Sequence, residues 1–83
     1  MPRYFFHLRD GEDFVPDEEG SYFADLDGAL EEARQSARDM LSEQLRAGEK
    51  LDGQSIEVSN DRGDLLERVT FKSVVDRLGP TVN

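Results

Sequence analysis

Two periodicities divide the chain. From Arg3 to Arg9, Tyr4, Phe6 and Leu8 alternate with Arg3, Phe5 and His7, the period of two that marks a strand with distinct faces over about 3–9. Asp10-Gly11 follows. Glycine takes positive φ without steric cost, so this pair predicts a tight hairpin turn. A return strand is expected over about 12–15, ended by Pro16, with a further extended piece at Ser21-Tyr22-Phe23.

At Leu26 the period lengthens. Leu26, Leu30, Ala33, Ala37, Leu41 and Leu45 fall three or four residues apart, forming one apolar stripe of an α-helix. Ala29 and Met40 widen it. Asp25 is placed to cap the first turn, and Asp27, Glu31 and Glu32 near the start with Arg46 near the end suit the helix dipole. Gly48 stands where a C′ glycine belongs. These signals predict a helix over 26–47, about 33 Å long at 1.5 Å per residue. Leu and Ala at this spacing mean core packing, since one helix of this length is too short for a free-standing coiled coil.

Period two returns in Ser55-Ile56-Glu57-Val58-Ser59, a strand over about 54–60 followed by the turn signal Asn60-Asp61-Arg62-Gly63. A last strand over 64–71 puts Leu65, Val69 and Phe71 on one face and Leu66, Arg68 and Thr70 on the other. Glu67 interrupts the apolar face and places this strand near a sheet edge. A short helical turn over 72–78 is stopped by Gly79-Pro80. The expectation is one α+β domain spanning 1–83, in the order β-β-α-β-β. Its antiparallel sheet of two hairpins carries one long amphipathic helix packed on one face. Strand order stays open, as does whether the hairpins pair within one chain or exchange between two.

Composition narrows the functions. The chain has 83 residues, 36% of them hydrophobic and 35% charged, and no cysteine. A disulfide framework, a thiolate zinc site and a nucleophilic thiol are therefore excluded, and the core must be dense or completed by self-association. The net charge of −9 leaves no excess of cations to displace nucleic-acid counterions, and it disfavours anionic membranes. The apolar run Tyr4-Phe5-Phe6 is too short for a secretory segment or a span, so a soluble cytoplasmic protein is expected. Residues 1–27 hold eight acids and two bases. Most of these acids lie in Asp10, Glu12 and Asp13 and in Asp17, Glu18 and Glu19.

His7 is the sole histidine, and no nucleophile or co-ligand accompanies it at a recognisable spacing. The acidic segment lacks the alternation of a calcium loop, with Phe14 and Val15 where ligands would stand. It reads as a solvated turn that discourages edge pairing, or as a negative rim that steers a basic protein partner. Arg62-Gly63-Asp64 reads as turn residues, and phosphate loops, serine elbows and zinc patterns are absent from the sequence. Catalytic residues, metal and cofactor are not expected.

If Tyr4, Phe6 and Leu8 lie under the helix, Phe5 and His7 face away, joined by Leu66 and Arg68. That group would form a contact surface for a protein partner or a second copy, unless the chain from Lys72 onward folds back over it. A non-enzymatic protein-interaction module is the leading expectation. A small ligand- or cation-binding protein, or an enzyme using the acidic 10–19 segment, is the alternative.

The start Met1-Pro2-Arg3-Tyr4-Phe5-Phe6-His7-Leu8, with Asp10-Gly11, Asp17-Glu18-Glu19-Gly20, Asp25-Leu26 and the Ala-rich helix, resembles a family of small uncharacterised alphaproteobacterial proteins. The likeness extends through Ile56-Glu57-Val58 and Val69-Thr70-Phe71. It implies a fold and a bacterial cytoplasmic setting but no functional residue. The chain is also similar, more weakly, to the amino-terminal domain of HicB-type antitoxins, in which an extended hairpin leads into a helix like Leu30-Glu31-Glu32-Ala33. That similarity implies toxin-like partner binding. It does not imply operator binding, because the segment 72–78 leaves no room for the DNA-binding module such antitoxins often append.

Overall fold

The computed structural model describes residues 1–48 and 53–77. In chain order these form β1 (Arg3–Asp10), β2 (Asp13–Val15), β3 (Ser21–Tyr22), α1 (Leu26–Ala47), β4 (Gln54–Ser59), β5 (Leu65–Thr70) and α2 (Phe71–Arg77). The class is α+β, with a five-stranded sheet ordered β2-β1-β4-β5 and β3 also paired to β1. All pairings are antiparallel. The two hairpins meet inside one chain through β1 and β4, where Phe6 lies opposite Val58 and Leu8 opposite Ile56.

Helix α1 has the expected bounds because its end signals operate locally. Asp25 Oδ1 accepts the Gly28 N–H at 2.9 Å, which satisfies one orphan donor of the first turn. At the other end Gly48 has φ 75°, a conformation that costs glycine little. Ala29, Ala33 and Ala37 are fully buried, and these small side chains let the helix lie close to the sheet. Leu30 and Leu41 pack there with Tyr4, Ile56, Val58 and Val69.

The second hairpin departs from simple alternation. Its turn is held by Asn60, whose Oδ1 accepts the N–H groups of Arg62 at 2.9 Å and Asp64 at 3.0 Å, so Arg62-Gly63-Asp64 serves the turn. Glu67 lies opposite Val58 while Leu65 lies opposite Ser59, which makes Leu66 the extra residue of a β-bulge. The bulge corrects one expectation: Leu65 does not join the apolar face and is 50% exposed. Strand β5 is an edge strand, in keeping with the exposed Glu67.

Phe71 is also reassigned. Thr70 Oγ1 accepts the Ser73 N–H at 3.0 Å, a cap that begins α2 at Phe71 rather than prolonging the strand. Phe71 and Val74 are buried in the same core as α1. Helix α2 therefore packs on the helix side, and no described element covers the opposite face of the sheet. The expected stop at Gly79-Pro80 and residue Leu78 lie outside the described residues, as do the side chains of Leu45 and Arg46.

Candidate binding face of the sheet

The pleat sends Phe5, His7 and Arg9 of β1 away from α1, and the register sets them beside Ser59, Glu57 and Ser55 of β4. Arg68 continues the rung of Glu57, and Thr70 that of Ser55. On the outer side Arg9 lies opposite Phe14 of β2, and Arg3 opposite Tyr22 of β3. The rung of Phe5 and Ser59 ends on Leu65. Leu66, expected beside Phe5, sits instead at the bulge.

Glu57 is the centre of this face. It is only 8% exposed, although no described element lies above it. Its Oε2 accepts a hydrogen bond from Arg9 Nε and another from Arg68, each at 3.2 Å. The two guanidinium side chains, 40% and 53% exposed, shield the carboxylate from water and offset its desolvation with charge-assisted bonds. Across the strand, His7 is the register partner of Glu57.

The rings form a continuous ladder along β1. Arg3 lies over Phe5 at 5.1 Å and over Tyr22 at 5.8 Å, and Arg9 over Phe14 at 4.5 Å, each within cation–π range. Phe5 stacks with His7 at 6.3 Å between centroids, and His7 meets Phe14 at 5.4 Å. His7 Nδ1 accepts the Asp17 N–H at 3.0 Å. That bond leaves Nδ1 unprotonated and assigns the ring proton to Nε2.

Asp17 explains how the outer edge of β1 is closed. Strand β2 pairs Leu8 to Asp10 and β3 pairs Arg3 and Tyr4, leaving a gap between them. Asp17 fills it: Oδ2 accepts the Phe6 N–H at 3.1 Å, and Oδ1 accepts those of Glu19 and Gly20, both at 3.2 Å. Burial pushes the Asp17 carboxyl up, but the backbone donors of Phe6, Gly20 and Glu19, together with the neighbouring His7, hold the group below its ordinary 3.8. The loop then passes close to Phe5, because a Cβ at Gly20 would stand 2.9 Å from both Phe5 Cε2 and the Tyr4 carbonyl oxygen.

The remaining acids lie apart from that ladder. Asp10, Glu12, Asp13, Glu18 and Glu19 are exposed, and Asp10 accepts a hydrogen bond from Gln54 Nε2 at 3.1 Å. Among the described residues no group of three or more His, Asp or Glu side chains is placed to hold a metal ion. No described helix is long and apolar enough to cross a membrane. Beside Arg68 the surface dips into a depression of about 310 Å³ lined by Gly53, Gln54, Ser55, Arg68, Thr70 and Lys72.

Of the residues expected to form a contact surface, the fold brings together Phe5, His7 and, through Glu57, Arg68. Arg9, Phe14 and Glu57 complete the group and were not singled out by their positions in the sequence. Glu57 sits as an ordinary polar residue in an alternating strand, and only the β1–β4–β5 register joins it to two arginines. Residues 3–72 match the model of a family described as a domain of unknown function (DUF6894), and the chain belongs to that family. No curated protein and no solved structure matches it.

Proposed function

We propose that this member of the DUF6894 family is a non-enzymatic protein-interaction module that receives its partner on the open face of the sheet. The carrying observation is the path of α2, which joins the core on the helix side, so that no described element covers the rings and guanidinium groups of the other face. Phe5, His7, Leu66 and Arg68 are the proposed contact residues, with Arg9 and Phe14 added by the register. The exposed acids at 10, 12, 13, 18 and 19 make up a negative rim separate from the ring ladder, whose field would orient a partner carrying basic groups elsewhere on its own surface.

A bacterial cytoplasmic setting belongs to the same proposal, as does self-association, with a second copy as one possible occupant. The antitoxin-type role is a narrower form of it, supported by the β1–β2 hairpin that leads into α1. The alternative of acid–base or cation chemistry in the 10–19 loop has less support, because the carboxylate of Asp17 is already committed to backbone donors.

The test compares wild type with a Phe14→Ser, Arg68→Glu double variant in pull-downs from source-cell lysate. Circular dichroism confirms that both are folded, and light scattering reports their mass. A stoichiometric protein, or a second copy, held by wild type and lost by the variant supports the proposal. A partner retained equally by both would overturn it.

A further inference from the structure

We infer that Arg9 and Arg68, spaced by Glu57, form a receptor for carboxylates on an acidic segment of a protein partner. This inference rests on the interaction-module reading and names the chemistry of the partner.

Charge on this face runs against the rest of the chain. The net charge is −9, yet the open rungs of the sheet hold Arg9 and Arg68 about the one carboxylate of Glu57, with Arg3 farther along β1 over Phe5 and Tyr22. Both flanking arginines bond the same Glu57 oxygen at 3.2 Å, so two like charges are held side by side with half of their charge compensated. Among the described residues each guanidinium makes one hydrogen bond, to this carboxylate, and no other side-chain bond. A guanidinium carries five N–H donors. Most of the donor set therefore faces water, and a second carboxylate would complete the charge alternation with charge-assisted bonds.

The donors are also held in place. Arg9 is clamped between Phe14, 4.5 Å away, and Glu57, so little side-chain entropy remains to be lost on binding. Among the described residues the depression beside Arg68 is lined by the hydroxyl residues Ser55 and Thr70 and by no acid, room for an acidic side chain. Charge complementarity calls for an anion, and the neighbouring rings favour a peptide over a bare phosphate. Phe14 and Tyr22 are 42% and 61% exposed and offer apolar contact to an extended chain. Nucleic acid, anionic along its whole length, would also run into the acids at 10–19, whereas a protein can present one short acidic segment to the arginines and basic groups to that rim.

The probe is an acetylated, amidated hexapeptide of Asp and Glu with one Phe, titrated into the isotope-labelled protein and followed by amide NMR shifts. Controls are its Asn/Gln counterpart and inorganic phosphate. Saturable shifts at Arg9, Ser55, Glu57, Arg68 and Thr70 are expected with the acidic peptide alone, weakened by salt and by about tenfold or more in Arg68→Gln. Arg68 is half exposed, so that variant keeps the fold, which circular dichroism checks. Shifts that are absent, confined to α1, equal with the amide counterpart or fully reproduced by phosphate would overturn the inference. A lysate partner that depends on this face but is not displaced by the acidic peptide overturns the carboxylate inference alone. Peptide binding at these residues with no face-dependent partner in lysate overturns the module reading alone.

Discussion

The two faces of the sheet are built from the same strands and closed by different means. On one, Tyr4, Ile56, Val58 and Val69 are buried against α1 and α2 by apolar packing. On the other, Ser55, Glu57 and Ser59 are just as deeply buried, but long side chains from the flanking strands do the covering. Every residue of β4 from Ser55 to Ser59 is thus withdrawn from water. Burial in this domain is therefore not the same as hydrophobicity. One face is held by the loss of apolar surface to water, which is insensitive to charge. The other is held by paired charges and rings, which respond to salt, pH and single-atom changes.

The comparison breaks most severely at Phe71, the largest fully buried side chain with Val58. Phe71→Ala should cost about 3–5 kcal/mol, read as a lower denaturation midpoint, and should detach α2 from the core. A loss below about 1 kcal/mol would mean that the helix side does not depend on this anchor. Gly20→Ala tests the aromatic ladder from the loop. With φ 72° and a Cβ placed 2.9 Å from a backbone oxygen, it should destabilise by about 1–3 kcal/mol and shift the Phe5 and His7 resonances.

Smaller effects sharpen the contrast. Glu57→Gln removes the charge shared by two half-exposed arginines, and an expected cost of about 1 kcal/mol should shrink in high salt, whereas that of Phe71→Ala should not. An equal salt response would erase the distinction between the faces. Asp17→Asn keeps one acceptor oxygen but turns an amide NH2 towards the backbone donors that the other oxygen served, and should cost about 1 kcal/mol near neutral pH. Because the folded Asp17 carboxyl titrates below its ordinary 3.8, its contribution is present above that value and fades as pH falls through the lower, folded one. The advantage of wild type over Asp17→Asn should accordingly hold steady on acidification towards 3.8 and decline only below it. A decline beginning near neutral pH would assign the effect to another group.

Half of the candidate site was legible beforehand. The alternation of β1 alone turns Phe5 and His7 away from the helix, and that of β5 does the same for Arg68. Glu57, Arg9 and Phe14 escaped notice because their significance is relational: forty-eight residues separate Arg9 from Glu57, and no local pattern signals the pairing. Asp17 looked like one acid among six in a charged segment. Its distinct role comes from a gap in strand pairing that exists only once β2 and β3 have both docked on β1.

Local chemistry was sufficient for the helix and the turns. An apolar stripe, an Asp cap and a C′ glycine set the ends of α1, and Asp10-Gly11 and Asn60 to Gly63 set the two hairpin turns, because each acts within a few residues of backbone. Tertiary structure alone decided the β2-β1-β4-β5 order, the bulge at Leu66, the start of α2 at Phe71 and the face on which α2 lies. These are choices between long-range arrangements that the same local pattern permits. They are settled by which pairing buries Phe71 and Val58 while still giving the Glu57 carboxylate its two guanidinium partners.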